Sequence, residues 1–197
     1  MDIDGFTCRL YDSQGHRYTT QFLVRELGYV KFDPKNEYVA ESYRFNLRGR
    51  LNMSSCPPEV KKTLNYQSKN VVCLSIFPGN DESVVDYKDL EDLVQRIYQF
   101  CCRSDANVVA YKGGEHEKVL LDSLKIPCLD LQGFACPKYE DLINFNQVYS
   151  SLQECGYHTR PKKGVLHCPK MEVTAYKDWL MLNHKSYSTA AFAEPEV

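Results

Sequence analysis

Cys155-Gly-Tyr-His158 and His167-Cys168 place two thiols and two imidazoles within fourteen residues. Thiolate and imidazole at close spacing suit Zn²⁺, which takes four N, S or O donors in a tetrahedron at about 2.0–2.3 Å. Cys-x2-His makes a tight loop hook. Cys168 stands directly before Pro169, a natural first residue of a helix, so a following helix can fix its position. The ordinary alternative is that such cysteines are small buried hydrophobes. With nine Cys and five His in the chain, some pairs fall close by chance. The spacing points to a zinc loop that includes Cys155, His158 and Cys168.

A second residue stands out by its neighbours. Residues 21–32 read as the strongest strand of the first half, with Phe22, Val24, Gly28, Val30 and Phe32 on one face at period two. Glu26 falls on that same face. A carboxylate inside an apolar stripe is costly unless it is paired, protonated or bound to a metal. A salt bridge, a half-wet strand and a metal ligand reaching in from the sheet all remain open for it.

The elements that must position these groups follow in order. A short strand opens the chain at residues 1–6, and residues 8–19 read as a polar hairpin loop with a turn at Asp12-Ser-Gln-Gly15. Residues 37–47 alternate again, so 20–47 reads as an antiparallel hairpin. A short polar helix starts near Pro58. Residues 69–77 are a nearly continuous apolar run, expected as a buried strand or an inserted segment. Leu90, Leu93, Val94, Ile97, Tyr98 and Cys101 form the core-facing stripe of a helix. A strand over 107–112, a helix over 115–124, a strand over 126–131, a helix over 137–153 and a last helix over 169–183 complete the series. Meandering strands followed by α/β units predict a mixed sheet flanked by helices. Residues 1–184 read as one domain and 185–197 as a flexible tail.

The net charge is −2, which lacks the global basic footprint of a DNA-coating protein. Nucleic-acid binding would need a local patch, and the candidates are Arg160-Pro-Lys162-Lys163 and the group Arg44, Arg48 and Arg50. Either group also reads as ordinary solvated surface. The cysteines form no secreted disulfide pattern, which indicates a reducing compartment. No signal peptide and no membrane span are expected.

The element order resembles the ribonuclease H-like fold of DEDDh exonucleases. Glu26-Leu-Gly-Tyr-Val-Lys-Phe is similar to their second strand, Val108-Val-Ala-Tyr-Lys-Gly-Gly to the strand of their second acidic motif, and His167-Cys-Pro-Lys-Met-Glu172 has the His-x4-acid spacing of their last motif. The chain is more similar still to the Maelstrom domain, a ribonuclease H-like domain of the germline small-RNA pathway. Cys155-x2-His158-x9-Cys168 matches that family's closing motif. The resemblance implies a structural zinc held by Glu26, Cys155, His158 and Cys168. Cys155, His158, His167 and Cys168 form the rival ligand set.

Two-metal nuclease chemistry needs clustered carboxylates and a histidine that activates water. Asp2, Asp4, Glu115 or Glu117, His167 and Glu172 supply candidates for it, although Glu in place of Asp would displace a metal. The functional expectation is therefore a zinc-stabilised, catalytically degenerate nuclease fold. The resemblance implies single-stranded RNA, or a protein of a silencing complex, as its partner, in the cytoplasm, perinuclear granules or nucleus. An active metal-dependent 3′–5′ exonuclease or RNase is the first alternative. A purely structural adaptor with tyrosine-rich contact loops is the second.

Overall fold

The computed structural model describes residues 1–11, 18–102, 107–148 and 150–190. Strands β1 (Asp2–Tyr11), β2 (Tyr18–Tyr29) and β3 (Glu41–Asn46) pair antiparallel in chain order, and the short β4 (Val85–Asp86) adds parallel to β3. A second, parallel pair joins β5 (Val109–Tyr111) to β6 (Cys128–Asp130). The backbone nitrogen of Met1 donates to the Ala110 carbonyl at 2.7 Å, so β5 starts alongside the first residues of β1. Helices α1 (Pro58–Asn70), α2 (Leu90–Cys101), α3 (Glu115–Ser123), α4 (Tyr139–Asn144) and α5 (Pro169–Ala190) flank these strands. The architecture is mixed α/β, with a mixed sheet flanked by helices. Among the described residues, no helix is long and apolar enough to cross a membrane.

The hairpin of β1 and β2 is longer than the sequence pattern suggests, and it is not regular. Asp4 opposes Glu26, but Gly5 opposes Val24, so Arg25 is an extra residue bulged out of β2. A bulge of one residue reverses which face the following side chains take. Val24 therefore joins Ile3, Leu27, Phe45, Leu93, Val94 and Leu121 in the core beneath α2 and α3. Glu26 and Gly28 face the other side, toward the start of α5. This corrects the expectation that Glu26 shares the face of Phe22 and Val24. The turn expected at residues 12–15 lies outside the described residues.

The opposite face of the sheet carries a second core. Phe6, Cys8 and Leu23 pack there against Leu47, Leu51, Leu64 and Leu74, with Val60 and Leu64 as the buried stripe of α1. Each such leucine, fully removed from water, contributes on the order of 1.5–3 kcal/mol. A third cluster joins α4 to α5 through Tyr139, Leu142, Ala175, Tyr176 and Trp179.

In the apolar run 69–77, Val72, Cys73, Leu74 and Ile76 are buried while Val71 and Ser75 are exposed, and of the two forms expected the strand does not form. Its carbonyls are taken one after another by other groups, most of them distant in the chain. Val72 O accepts from His158 Nδ1, and Cys73 O from both the Thr159 amide and its hydroxyl. Leu74 O accepts from Ser68 Oγ, and Ser75 O from Arg25 Nε. With its acceptors occupied, the segment has no ladder left to offer. α4 also stops well short of residue 153, because Asn146 takes the left-handed conformation at φ 52°, a common helix terminator. α5, by contrast, continues to Ala190, past the point where a tail was expected. The rest of that tail, 191–197, lies outside the described residues.

Candidate metal centre

α5 lies against the sheet where β2 carries Gly28. A Cβ on Gly28 would sit 2.4 Å from the carbonyl carbon and oxygen of Pro169, so only glycine admits this approach. The close crossing brings Cys168, at the entry of α5, over Glu26, two residues back along β2. The loop ahead of α5 supplies the remaining groups. Glu26, Cys155, His158 and Cys168 each offer one donor atom, and these four atoms lie within 4.8 Å of one another. A zinc tetrahedron has ligand-to-ligand edges of about 3.3–3.8 Å, so the group is close to the required size.

The internal bonds fit a metal site. His158 Nδ1 donates to the Val72 carbonyl at 3.0 Å, which turns Nε2 toward Glu26 Oε2 at 2.6 Å. A backbone acceptor that fixes the second ring nitrogen is the usual support of a metal-binding histidine. Both His158 and Glu26 side chains are fully buried. Glu26 Oε1 is buried without a hydrogen-bond partner, an expensive state that a cation would relieve. The electrostatics point the same way. Burial would raise the Glu26 carboxyl, but the bond from His158 at Oε2, with Cys155 and Ser42 close by, holds it below its ordinary value. A bond from Cys155 pulls the Cys168 thiol down, and the same contact drives Cys155 up. Burial opposes charge on His158, yet bonds to Cys155 and Glu26 push it up to about 10. Protons shared in this way are what a divalent cation displaces. The donor set of two thiols, an imidazole and a carboxylate is compatible with zinc.

His167 stands apart from this group. Its Nδ1 lies 2.7 Å from Glu172 Oε1 and its Nε2 lies 3.2 Å from Glu140 Oε1. Both nitrogens thus face carboxylates, and the bond to Glu172 helps push the ring up to about 9. Its neighbours form a second constellation. Asp2, Glu117 and Glu172 are buried. Burial, followed by Glu172, Glu117 and Asp4, raises Asp2 well above the usual carboxylate range. Burial and then Glu172 raise Asp4 to about 7, and its Oδ2 is buried without a hydrogen-bond partner. Tyr176 Oη donates to Glu172 Oε2 at 3.0 Å. Of the alternatives Glu115 and Glu117, Glu117 turns inward and Glu115 is exposed.

Several participants carry no sequence signal. The Val72 carbonyl, Glu140 and Tyr176 are ordinary residues until the chain folds. So is Glu82, whose carboxylate binds Arg25 Nη2 at 2.8 Å and Arg44 Nε at 3.2 Å. The one visible hint was Arg25 beside Glu26, two charges in a row within an apolar strand. Compared with protein-family models, with curated proteins and with solved structures, the chain gives no match.

Proposed function

We propose that this chain is a zinc-stabilised domain of ribonuclease H-like, Maelstrom-like type that binds single-stranded RNA. The observation that carries the reading is the convergence of Glu26, Cys155, His158 and Cys168 from β2, the closing loop and the entry of α5. Zinc held there would supply a four-coordinate cross-link whose binding free energy becomes folding free energy. The chain's own groups prepare the site: Val72 orients His158, Gly28 admits α5, and Pro169 starts the helix that holds Cys168. The bond from Met1 to Ala110 supports the ribonuclease H-like part of the reading, because it brings the start of β1 beside the parallel β5–β6 pair.

A second reading, metal-dependent RNA cleavage, is favoured by one specific arrangement. Asp2 and Asp4 are raised by the charge of Glu172, and His167 is engaged by Glu172 rather than by the thiol–imidazole group, although among the described residues these carboxylates do not close into a compact metal-holding group as Glu26, Cys155, His158 and Cys168 do. In that reading the carboxylates hold divalent cations, which supply Lewis-acid and water-activating chemistry, and His167 holds a proton at Nδ1 toward Glu172.

One experiment separates the readings. Labelled single-stranded RNA is incubated with the purified chain, with Mg²⁺ or Mn²⁺ and with EDTA, alongside Asp4→Asn. Intact RNA in a retarded band supports the binder. Shortened RNA that requires the divalent ion and Asp4 supports the nuclease. Absence of both binding and cleavage contradicts both and leaves a protein-binding adaptor.

A further inference from the structure

We infer that Tyr157 is a stacking platform for an RNA base, held in place by the Cys155–His158 loop and by Arg44. The inference rests on the single-stranded RNA reading and names its contact. Tyr157 lies between two residues of the candidate metal centre, and the preceding Gly156 has φ 86°, a backbone state that glycine takes without strain. The ring is thus carried on a two-residue bridge whose ends are both fixed.

Its underside is also fixed. The Arg44 guanidinium carbon lies 3.8 Å from the Tyr157 ring centroid, a close cation–π stack. Arg44 is itself immobilised: its Nε lies 3.2 Å from Glu82 Oε1, and its Nη2 donates to the Ser83 carbonyl at 3.3 Å. Glu82 is tied in turn to the fully buried Arg25. Yet Tyr157 keeps 39 % of its surface open to solvent. An exposed aromatic ring that is rigid before any ligand arrives loses little conformational entropy on binding. Every nucleobase presents a π-face to such a ring, and base–aromatic stacking is the common contact of single-strand binders.

The surroundings favour a polyanion over a protein surface. From Gly156 to Leu166 the loop holds Arg160, Lys162 and Lys163, all exposed, and no carboxylate. Further along from Arg44, the exposed Arg48 and Arg50 lie over Phe77 and Tyr87 at 6.0 and 5.4 Å from the ring centroids. Three exposed cations with no carboxylate on the loop that carries Tyr157, in a chain of net charge −2, favour phosphates and bases as its ligand.

The test measures binding of a fluorescein-labelled oligouridylate to the full, metal-loaded chain by anisotropy across a salt series. Tyr157→Ala should weaken binding roughly tenfold or more while metal content stays unchanged, and Tyr157→Phe should bind like the parent. The triple change Arg160→Ser, Lys162→Ser, Lys163→Ser should flatten the logarithmic salt dependence by about two. Tyr157→Trp keeps the ring, and its emission should be quenched by added RNA above any change from the buried Trp179 of the parent. Equal binding by Tyr157→Ala, or an unquenched Tyr157→Trp that still binds, would overturn the stacking inference and leave the RNA reading standing. Failure of the parent chain to bind would overturn both.

Discussion

Asp4 and Glu26 face each other directly across β1 and β2, yet they belong to different centres. Glu26 turns to His158 at 2.6 Å. Asp4 is raised first by burial and then by Glu172, with Glu26 adding to the rise. Two carboxylates on adjacent strands would repel if both stayed charged and unpaired. Here one is matched by an imidazole and two thiols, and the other is held back toward its protonated form by burial and by Glu172. The sheet therefore presents a thiol–imidazole–carboxylate group and a carboxylate group side by side, separated by the width of one strand.

The fit of α5 onto β2 predicts a sharp steric effect. Gly28→Ala places a methyl 2.4 Å from the Pro169 backbone, and it should destabilise the chain by about 1–3 kcal/mol or more. Gly79 has nothing within 4 Å of the same ideal position, so Gly79→Ala should change stability by less than about 0.5 kcal/mol. Urea unfolding of the two variants side by side checks the difference.

The buried Arg25–Glu82–Arg44 triad predicts an electrostatic one. Glu82→Gln leaves the fully buried Arg25 and the mostly buried Arg44 without their counter-charge. The cost should be about 3–5 kcal/mol, as for other broken buried pairs. Replacing Arg25 and Glu82 together by Met should recover part of that loss in a double-mutant cycle followed by denaturant unfolding.

Asp2 predicts a dependence on pH. Its carboxyl is raised first by burial and then by Glu172, Glu117 and Asp4, so the folded chain binds this proton more tightly than the unfolded chain. Stability from this group is fully present below the unfolded value of about 3.9 and is lost as pH rises through the folded value. Asp2→Asn removes that loss. The variant should therefore gain stability relative to the parent as pH increases above about 4, measured by chemical unfolding at a series of pH values. A constant difference across the series would contradict the raised carboxyl.

Cys155 predicts the largest single effect of a conservative change. Cys155→Ser keeps the size of the side chain but removes a thiolate donor from the group formed with Glu26, His158 and Cys168. Because metal binding and folding are linked, the variant should retain less metal and melt at least about 10 °C lower, given the per-kcal shifts usual for a chain of this size. Cys136→Ser alters a buried thiol that burial pushes up to about 12 and that lies outside the group. It should leave metal content unchanged.

The parts of this site legible in the sequence were those set by local spacing. Cys155, His158 and Cys168 announce themselves through a short loop and a proline that starts a helix. The stripe of α2 and the start of α1 at Pro58 are local in the same sense. Glu26 is legible as an oddity, but strict alternation assigns it to the wrong face. The bulge at Arg25 is a matter of pairing between strands, and no alternation pattern reveals it. The apolar run 69–77 is compatible with a buried strand or an inserted segment, and composition does not decide between them. What decides its form is that His158, Thr159, Ser68 and Arg25 take its carbonyls, three of them from far along the chain. Likewise, His167 beside Cys168 invited a shared zinc, and only the fold shows Glu172 and Glu140 claiming both its nitrogens.

X-ray absorption at the zinc edge of the purified, folded chain, combined with metal stoichiometry, tests the central claim most directly. The expected result is one zinc per chain with two sulfur and two nitrogen or oxygen neighbours, the latter reduced by one in Glu26→Ala or replaced there by water. Well-folded protein without bound zinc, or zinc whose neighbours include no sulfur, would contradict it.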